Sequence, residues 1–150
     1  MVQNEWHVWQ PFRDEFSGNL AIFCSDERYV GATSEFLRHG LNLERCDLLV
    51  LPGGPAFIAE NNASLMARVK FLLRHHRIKR IVLVTHADCG HYKERERELE
   101  PEALQTRQCD EARSAASHLE EACPGVLVDA ILAARDSWGF VFTHLNTRDQ

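Results

Sequence analysis

The sequence contains no apolar run near the roughly 20 residues that a membrane-spanning helix requires, so a helical membrane protein is not expected. It also lacks a basic start leading into an apolar centre. Its first residues, MVQNEWHVWQPFRDEF, are polar, aromatic and acidic, unlike a secretory leader, and the expectation is a cytoplasmic protein. Excess positive charge is absent: 17 Lys and Arg face 22 Asp and Glu, for a net charge of −5, which argues against a general affinity for nucleic acid. Neither G-x-G-x-x-G nor G-K-[ST] occurs, so the Gly53–Gly54 pair is a weak basis for a nucleotide-binding domain. Cysteine is scarce and odd in number, at five. In a reducing compartment such a set does not read as a disulfide framework, and it leaves thiols for metal or chemistry. Internal repeats, low-complexity tracts and interdomain linkers are missing too. A length of 150 residues, 45% of them hydrophobic, suits a single domain over 1–150 with a real core.

What is present is an alternation of short apolar runs and amphipathic stretches. LAIFC (20–24), DLLVL (47–51) and RIVLVT (80–85) read as strands buried on both faces. Thr33 to His39 reads as a short helix closed by Gly40 in a left-handed cap. Ser64 is placed to cap a helix to about Arg77, with Leu65, Val69, Leu72 and Leu73 on one face. The alternating charges of 93–102 read as a solvated loop or helix start. A helix from about Pro101 to Ala122 buries Leu104, Ala112, Ala115 and Leu119. Two strands, about 126–134 and 139–144, joined at Asp136–Gly139, read as an antiparallel pair. The expected fold class is α/β: a mostly parallel sheet of about five strands with flanking helices and a C-terminal antiparallel strand.

The first strand ends in Cys24, followed by Asp26 and Arg28. The third runs into His86 and Cys89. In open α/β sheets ligands bind beyond the carboxyl ends of the strands, so both clusters are expected at one sheet edge. Two thiolates and one imidazole form a favoured zinc set, and three protein ligands with an open fourth position mark a catalytic rather than a structural site. Zinc lowers the pKa of bound water to about 7 and makes hydroxide available at neutral pH. Asp26 is placed to accept the water proton, and Arg28 to pair with that carboxylate and orient it. Asp26 could instead swing onto the metal as a fourth ligand.

CSDER together with HADCG resembles the β-class carbonic anhydrases, whose signature joins Cys-x-Asp-x-Arg to His-x-x-Cys-Gly. The order of elements from 20 to 145 is similar as well. The resemblance implies Cys24, His86 and Cys89 as zinc ligands, Asp26 and Arg28 as the catalytic pair, and reversible hydration of carbon dioxide to bicarbonate. It also implies a homodimer or a larger homo-oligomer. The chain departs from the family pattern in three places. Leu51-Pro52-Gly53-Gly54-Pro55 stands where members carry Arg-Asn-Ala-Gly-Asn. Glu15 stands where many have a substrate-reaching glutamine. The N-terminal arm is reduced to about residues 1–18. Related enzymes on this scaffold hydrolyse carbonyl sulfide or carbon disulfide, and that activity is the alternative. A non-catalytic zinc protein, its pocket closed by the PGGP loop, is another.

The backbone N–H of Gly90 is the candidate substrate donor, because glycine lets a ligand approach closely. Asp88 reads as a turn residue between the ligands. Cys46, Cys109 and Cys123 read as core or partly exposed thiols. His75 and His76 suit a helix C-terminus, and His91 and Tyr92 read as structural before they read as proton shuttles. Trp6, Trp9 and Phe12 read as an arm packed on a partner subunit.

Overall fold

The structure, a computed structural model, describes residues 4–146. Its elements follow in order as β1 (Asn19–Cys24), α1 (Glu27–Glu35), a π-helical turn (Phe36–Gly40), β2 (Asp47–Leu51), α2 (Ala56–Ala59), α3 (Ala63–His75), β3 (Arg80–His86), α4 (Gly90–Arg95), α5 (Pro101–Ala122), β4 (Leu127–Asp136) and β5 (Gly139–His144). One five-stranded sheet runs β2-β1-β3-β4-β5. Its first four strands are parallel and β5 pairs antiparallel to β4, as the sequence predicts.

The continuous apolar runs are explained by two cores. Leu20, Ile22, Ile81, Leu83, Val128 and Ala130 face one side and pack under α3 and α5. Their neighbours Ala21, Phe23, Val82, Val84, Ile131 and Ala133 face the other, under α1 and the π-helical turn. Successive strand residues point to opposite faces, so a strand covered on both sides must be apolar throughout. On α5, Leu104, Ala112, Ala115 and Leu119 are buried, but so are Gln108 and Cys109. No helix among the described residues is long and apolar enough to cross a membrane.

Several local expectations are corrected. The first helix begins at Glu27, not near Thr33, because Asp26 is its N-cap: the carboxylate accepts from Arg28 N at 2.9 Å. Gly40 is not a left-handed cap. The helical segment ends in a π-helical turn there, and a Cβ on Gly40 would lie 2.6 Å from the Phe36 ring, so the glycine makes room for that side chain. Asn62 rather than Ser64 caps α3, its Oδ1 accepting from Leu65 N at 3.1 Å. Part of the charged stretch joins a helix, α4, and α2 follows the PGGP turn where no helix is predicted.

Candidate metal centre

Order in the sheet decides the site. β1 lies beside β3, with Phe23 opposite Val84, so the residues that follow leave the sheet at the same edge. Cys24 Sγ, a His86 ring nitrogen and Cys89 Sγ all lie within 4.8 Å of one another, and all three residues are buried. Cys24 is the last residue of β1 and His86 the last of β3. Cys89 is the N-cap of α4. Asp88, between the two later ligating residues, turns the chain with φ at +63° and pairs with Arg28 and Lys93. The turn reading of Asp88 fits this placement.

The imidazole has one nitrogen committed and one free. His86 Nδ1 lies 2.7 Å from the Ala87 carbonyl oxygen. A carbonyl only accepts, so Nδ1 carries the proton and the Nε2 lone pair is left for a ligand. Nε2 is buried and has no hydrogen-bond partner, although the residue is only 3% exposed. A buried nitrogen without a partner is costly, and the thiols beside it complete a donor set that suits a soft or borderline cation. The residues therefore fit a zinc ion. Tyr29 stacks on the imidazole at 4.2 Å and holds the ring plane.

The thiols are electrostatically unequal. The Cys24 thiol is held well below its ordinary range, chiefly because Cys89 donates to its sulfur. Burial opposes this, while His86 and the backbone N–H groups of Asp26 and Gly53 add to it. The Cys89 thiol is pushed up by that same bond and by burial, so the pair shares one proton. Burial works to lower the pKa of His86, yet the Cys24 sulfur, the Ala87 carbonyl and the Asp26 charge together raise it.

Asp26 and Arg28 form the pair that the spacing predicts. Arg28 Nη2 lies 2.6 Å from Asp26 Oδ2, and Nε lies 3.0 Å from Oδ1. This two-pronged contact holds the carboxyl at about 2, below the usual carboxylate range. Asp26 Oδ2 sits 3.8 Å from His86 Nε2. The carboxylate thus lies beside the three-residue cluster and is engaged by Arg28.

The PGGP loop lines the other side. Gly53 and Gly54 both have positive φ, +83° and +53°, and a Cβ on Gly53 would meet the His91 ring at 2.6 Å. His91 bonds Glu60 at 2.8 Å, and Glu60 also receives Arg95 at 2.9 Å. Arg95 continues to Glu111 at 2.5 Å, and the Tyr92 hydroxyl donates to Glu111 at 3.0 Å. Burial would raise the Glu60 carboxyl, but the His91 and Arg95 bonds outweigh it and the net shift is down. His91 and Tyr92 are accordingly partners in a clamp that fastens α4 to α2 and α5. The alternating charges of 93–102 supply Arg95 to that clamp, a role that their pattern alone does not disclose.

The remaining candidates fall elsewhere. Gly90 opens α4 with nothing within 4 Å of where a Cβ would stand. Glu15 lies far from the cluster within the chain: it is 73% exposed at the side chain, faces Arg45, and lines a cavity of about 490 Å³ with Gly18, His75, His76 and Lys79. Those residues sit at the opposite edge of the sheet, where β1 and β3 begin. His76 closes α3 and bonds Asp47 at 2.7 Å, in keeping with a structural histidine. Cys46, Cys109 and Cys123 are free thiols, of which Cys109 is buried.

A family model described as "Putative carbonic anhydrase" matches residues 14–138. No curated protein matches the chain. Among solved structures, the fold is similar to tetrameric β-carbonic anhydrases of Sordaria macrospora, with TM-score 0.59, 16% identity, and 89% of this chain and 82% of that chain covered. A carbonic anhydrase of Streptococcus mutans gives TM-score 0.58 at 17% identity, covering 88% of this chain and 83% of that one. A β-carbonic anhydrase of Trichomonas vaginalis gives 0.58 at 12% identity, covering 93% and 87%. The matched span takes in all of β1 to α5 and both halves of the cysteine–histidine cluster; the chain has the fold of the β-carbonic anhydrases and belongs to the family that this carbonic anhydrase model describes.

Proposed function

We propose that this protein is a zinc lyase that hydrates carbon dioxide to bicarbonate reversibly. The observation that carries the reading is the unpartnered Nε2 of His86, buried and facing the sulfurs of Cys24 and Cys89. Zinc would be held by those three atoms. Bound there, it would supply a Lewis acid that makes water a nucleophile near neutral pH.

The chain's own residues do the rest. Asp26, kept ionised by Arg28, accepts a hydrogen bond from the attacking water and holds its reactive lone pair toward the carbon. Arg28, tied also to Asp88, keeps the carboxylate from turning onto the metal as a fourth ligand. The backbone N–H of Gly90 is one of the first in α4 and has no partner within the helix. The open space over it lets a carbon dioxide or bicarbonate oxygen approach. The charge of Glu15 is directed away from the cluster of its own chain, so it does not repel bicarbonate there. We further propose a homodimer, because Trp6, Trp9 and Phe12 are left exposed on the arm and Leu48 and Val50 on the edge strand β2.

The test is a parallel assay of the zinc-loaded protein with carbon dioxide, carbonyl sulfide and carbon disulfide. Carbon dioxide hydration is expected. Turnover of a sulfur compound alone would establish the hydrolase alternative, and no turnover with zinc fully loaded would establish a non-catalytic zinc protein.

A further inference from the structure

Helix α5 carries one amide into an otherwise apolar face. Gln108 is 1% exposed, and Leu104, Ala112, Ala115 and Leu119 share its side of the helix. A buried amide costs free energy unless its donors and acceptor find partners, and a leucine would pack this position without that cost. Gln108 directs its Nε2 at one place. It donates to the His86 carbonyl oxygen at 2.9 Å and to Thr85 Oγ1 at 3.1 Å.

That place is where the sheet stops supporting the strand. Pairing between β1 and β3 ends at Phe23–Val84, short of His86. On the other side, Ala87 N still donates to the Ala133 carbonyl at 2.9 Å. The peptide group after His86 is thus held toward β4 by its N–H and toward α5 by its carbonyl. The next carbonyl, of Ala87, accepts from His86 Nδ1 and sets the ring. The linkage runs from the Gln108 amide through one peptide group to the imidazole, and so to the direction in which Nε2 points.

We propose that Gln108 is a positioning residue for the metal centre, aligning His86 so that Nε2 meets the two sulfurs. This rests on the reading of Cys24, His86 and Cys89 as a zinc site. Gln108 touches neither metal nor substrate, and it acts through the backbone of a ligand. Groups that orient metal ligands typically contribute roughly 10–100-fold to metal affinity, and Gln108 is expected to fall in that range.

The experiment compares zinc affinity, by competition with a chromophoric chelator, and the visible spectrum of the cobalt(II) form, which reports ligand geometry. Four full-length proteins are needed: wild type, Gln108→Met, Gln108→Asn and Thr85→Val. Methionine keeps the volume and removes the donors, and asparagine keeps the amide but falls short of the carbonyl. Asparagine is also the second probe should the methionine variant fail to fold. Thr85→Val removes the other acceptor and leaves the bond to His86. The expected result is a roughly 10–100-fold weaker zinc affinity with an altered cobalt spectrum in both Gln108 variants, against near-wild-type values in Thr85→Val whatever its melting temperature. Wild-type affinity and spectrum in a folded Gln108 variant overturn the proposal. Equal weakening in Thr85→Val also overturns it, since that would reflect general loosening of the core. A wild-type chain that binds neither ion overturns the zinc-site reading itself.

Discussion

Gly54 lies against the backbone of Cys24: a Cβ on Gly54 would stand 2.8 Å from Cys24 N and 2.9 Å from the Phe23 carbonyl carbon. Both neighbours are main-chain atoms in a central strand, so neither can move aside. The φ of +53° adds backbone strain for any other residue. Gly54→Ala is expected to destabilise the fold by about 1–3 kcal/mol from strain alone and to reduce zinc content by displacing the end of β1. Gly31→Ala is the control: Gly31 lies within α1 with nothing within 4 Å of a Cβ, and alanine there should stabilise by about 0.5–1 kcal/mol. Thermal melts with metal analysis separate the two, and a Gly54→Ala protein that melts as wild type with full zinc would refute the expectation.

Asp26 does two jobs that mutation can divide. It caps α1 and it pairs with Arg28. Asparagine caps about as well as aspartate but carries no charge. Asp26→Asn should therefore keep the fold and the zinc while losing most hydration activity. Asp26→Ala should lose activity and about 1 kcal/mol of stability as well. Denaturant titrations beside stopped-flow hydration read both quantities, and wild-type rates in Asp26→Asn would remove Asp26 from the mechanism.

The pH dependence of that pair has a definite sign. The folded carboxyl is depressed to about 2, against about 3.9 in an unfolded chain. Its contribution is complete above about pH 4 and is lost as the pH falls through the folded value. Wild type and Asp26→Asn should differ in stability at neutral pH and converge toward pH 2. A constant difference down to that pH would show that the charge does not stabilise the fold.

Zinc uptake should release protons. In the metal-free chain Cys89 holds the proton that bridges the two sulfurs. Cys89 must yield that proton to ligate as a thiolate, so loading at pH 7 is expected to release about one proton per chain. A pH indicator in weak buffer measures it. Cys89→Ala should lose most of its zinc and most of this release. Full zinc retention by elemental analysis in that variant would reject Cys89 as a ligand.

Trp6, Trp9 and Phe12 are 90%, 96% and 88% exposed. That much aromatic surface on an arm without secondary structure is unfavourable in water. Sedimentation at micromolar concentration should give a dimer, and removal of residues 1–12 should shift it toward monomer. A monomeric full-length chain, or an arm whose loss leaves assembly unchanged, would count against the homodimer.

The sequence by itself determined the five strands, the long helices α3 and α5, and the chemistry at the strand ends. Runs such as IVLV can satisfy both faces of a sheet only as a buried strand, and the periodicity of α5 leaves one apolar side. Cys24 and the His86–Cys89 pair each follow such a run, so their place at the carboxyl edge follows from chain order. Only the tertiary structure decided that β1 lies beside β3, which turns two weak motifs into one cluster, because strand order depends on contacts between residues far apart in sequence. It also decided which polar residues are buried. The helical position of Gln108 is visible in the sequence, but nothing local shows that its amide reaches the end of β3. Arg95 stands in a charged run that suits solvent equally well, and it becomes a half-buried hub only because Glu60, at the end of α2, and Glu111, from α5, reach it. Asp26 carried the readable signal of an N-cap, an aspartate before a glutamate. Its place two residues after Cys24 suits catalysis as well, and the fold gives the same side chain both the cap and the partnership with Arg28.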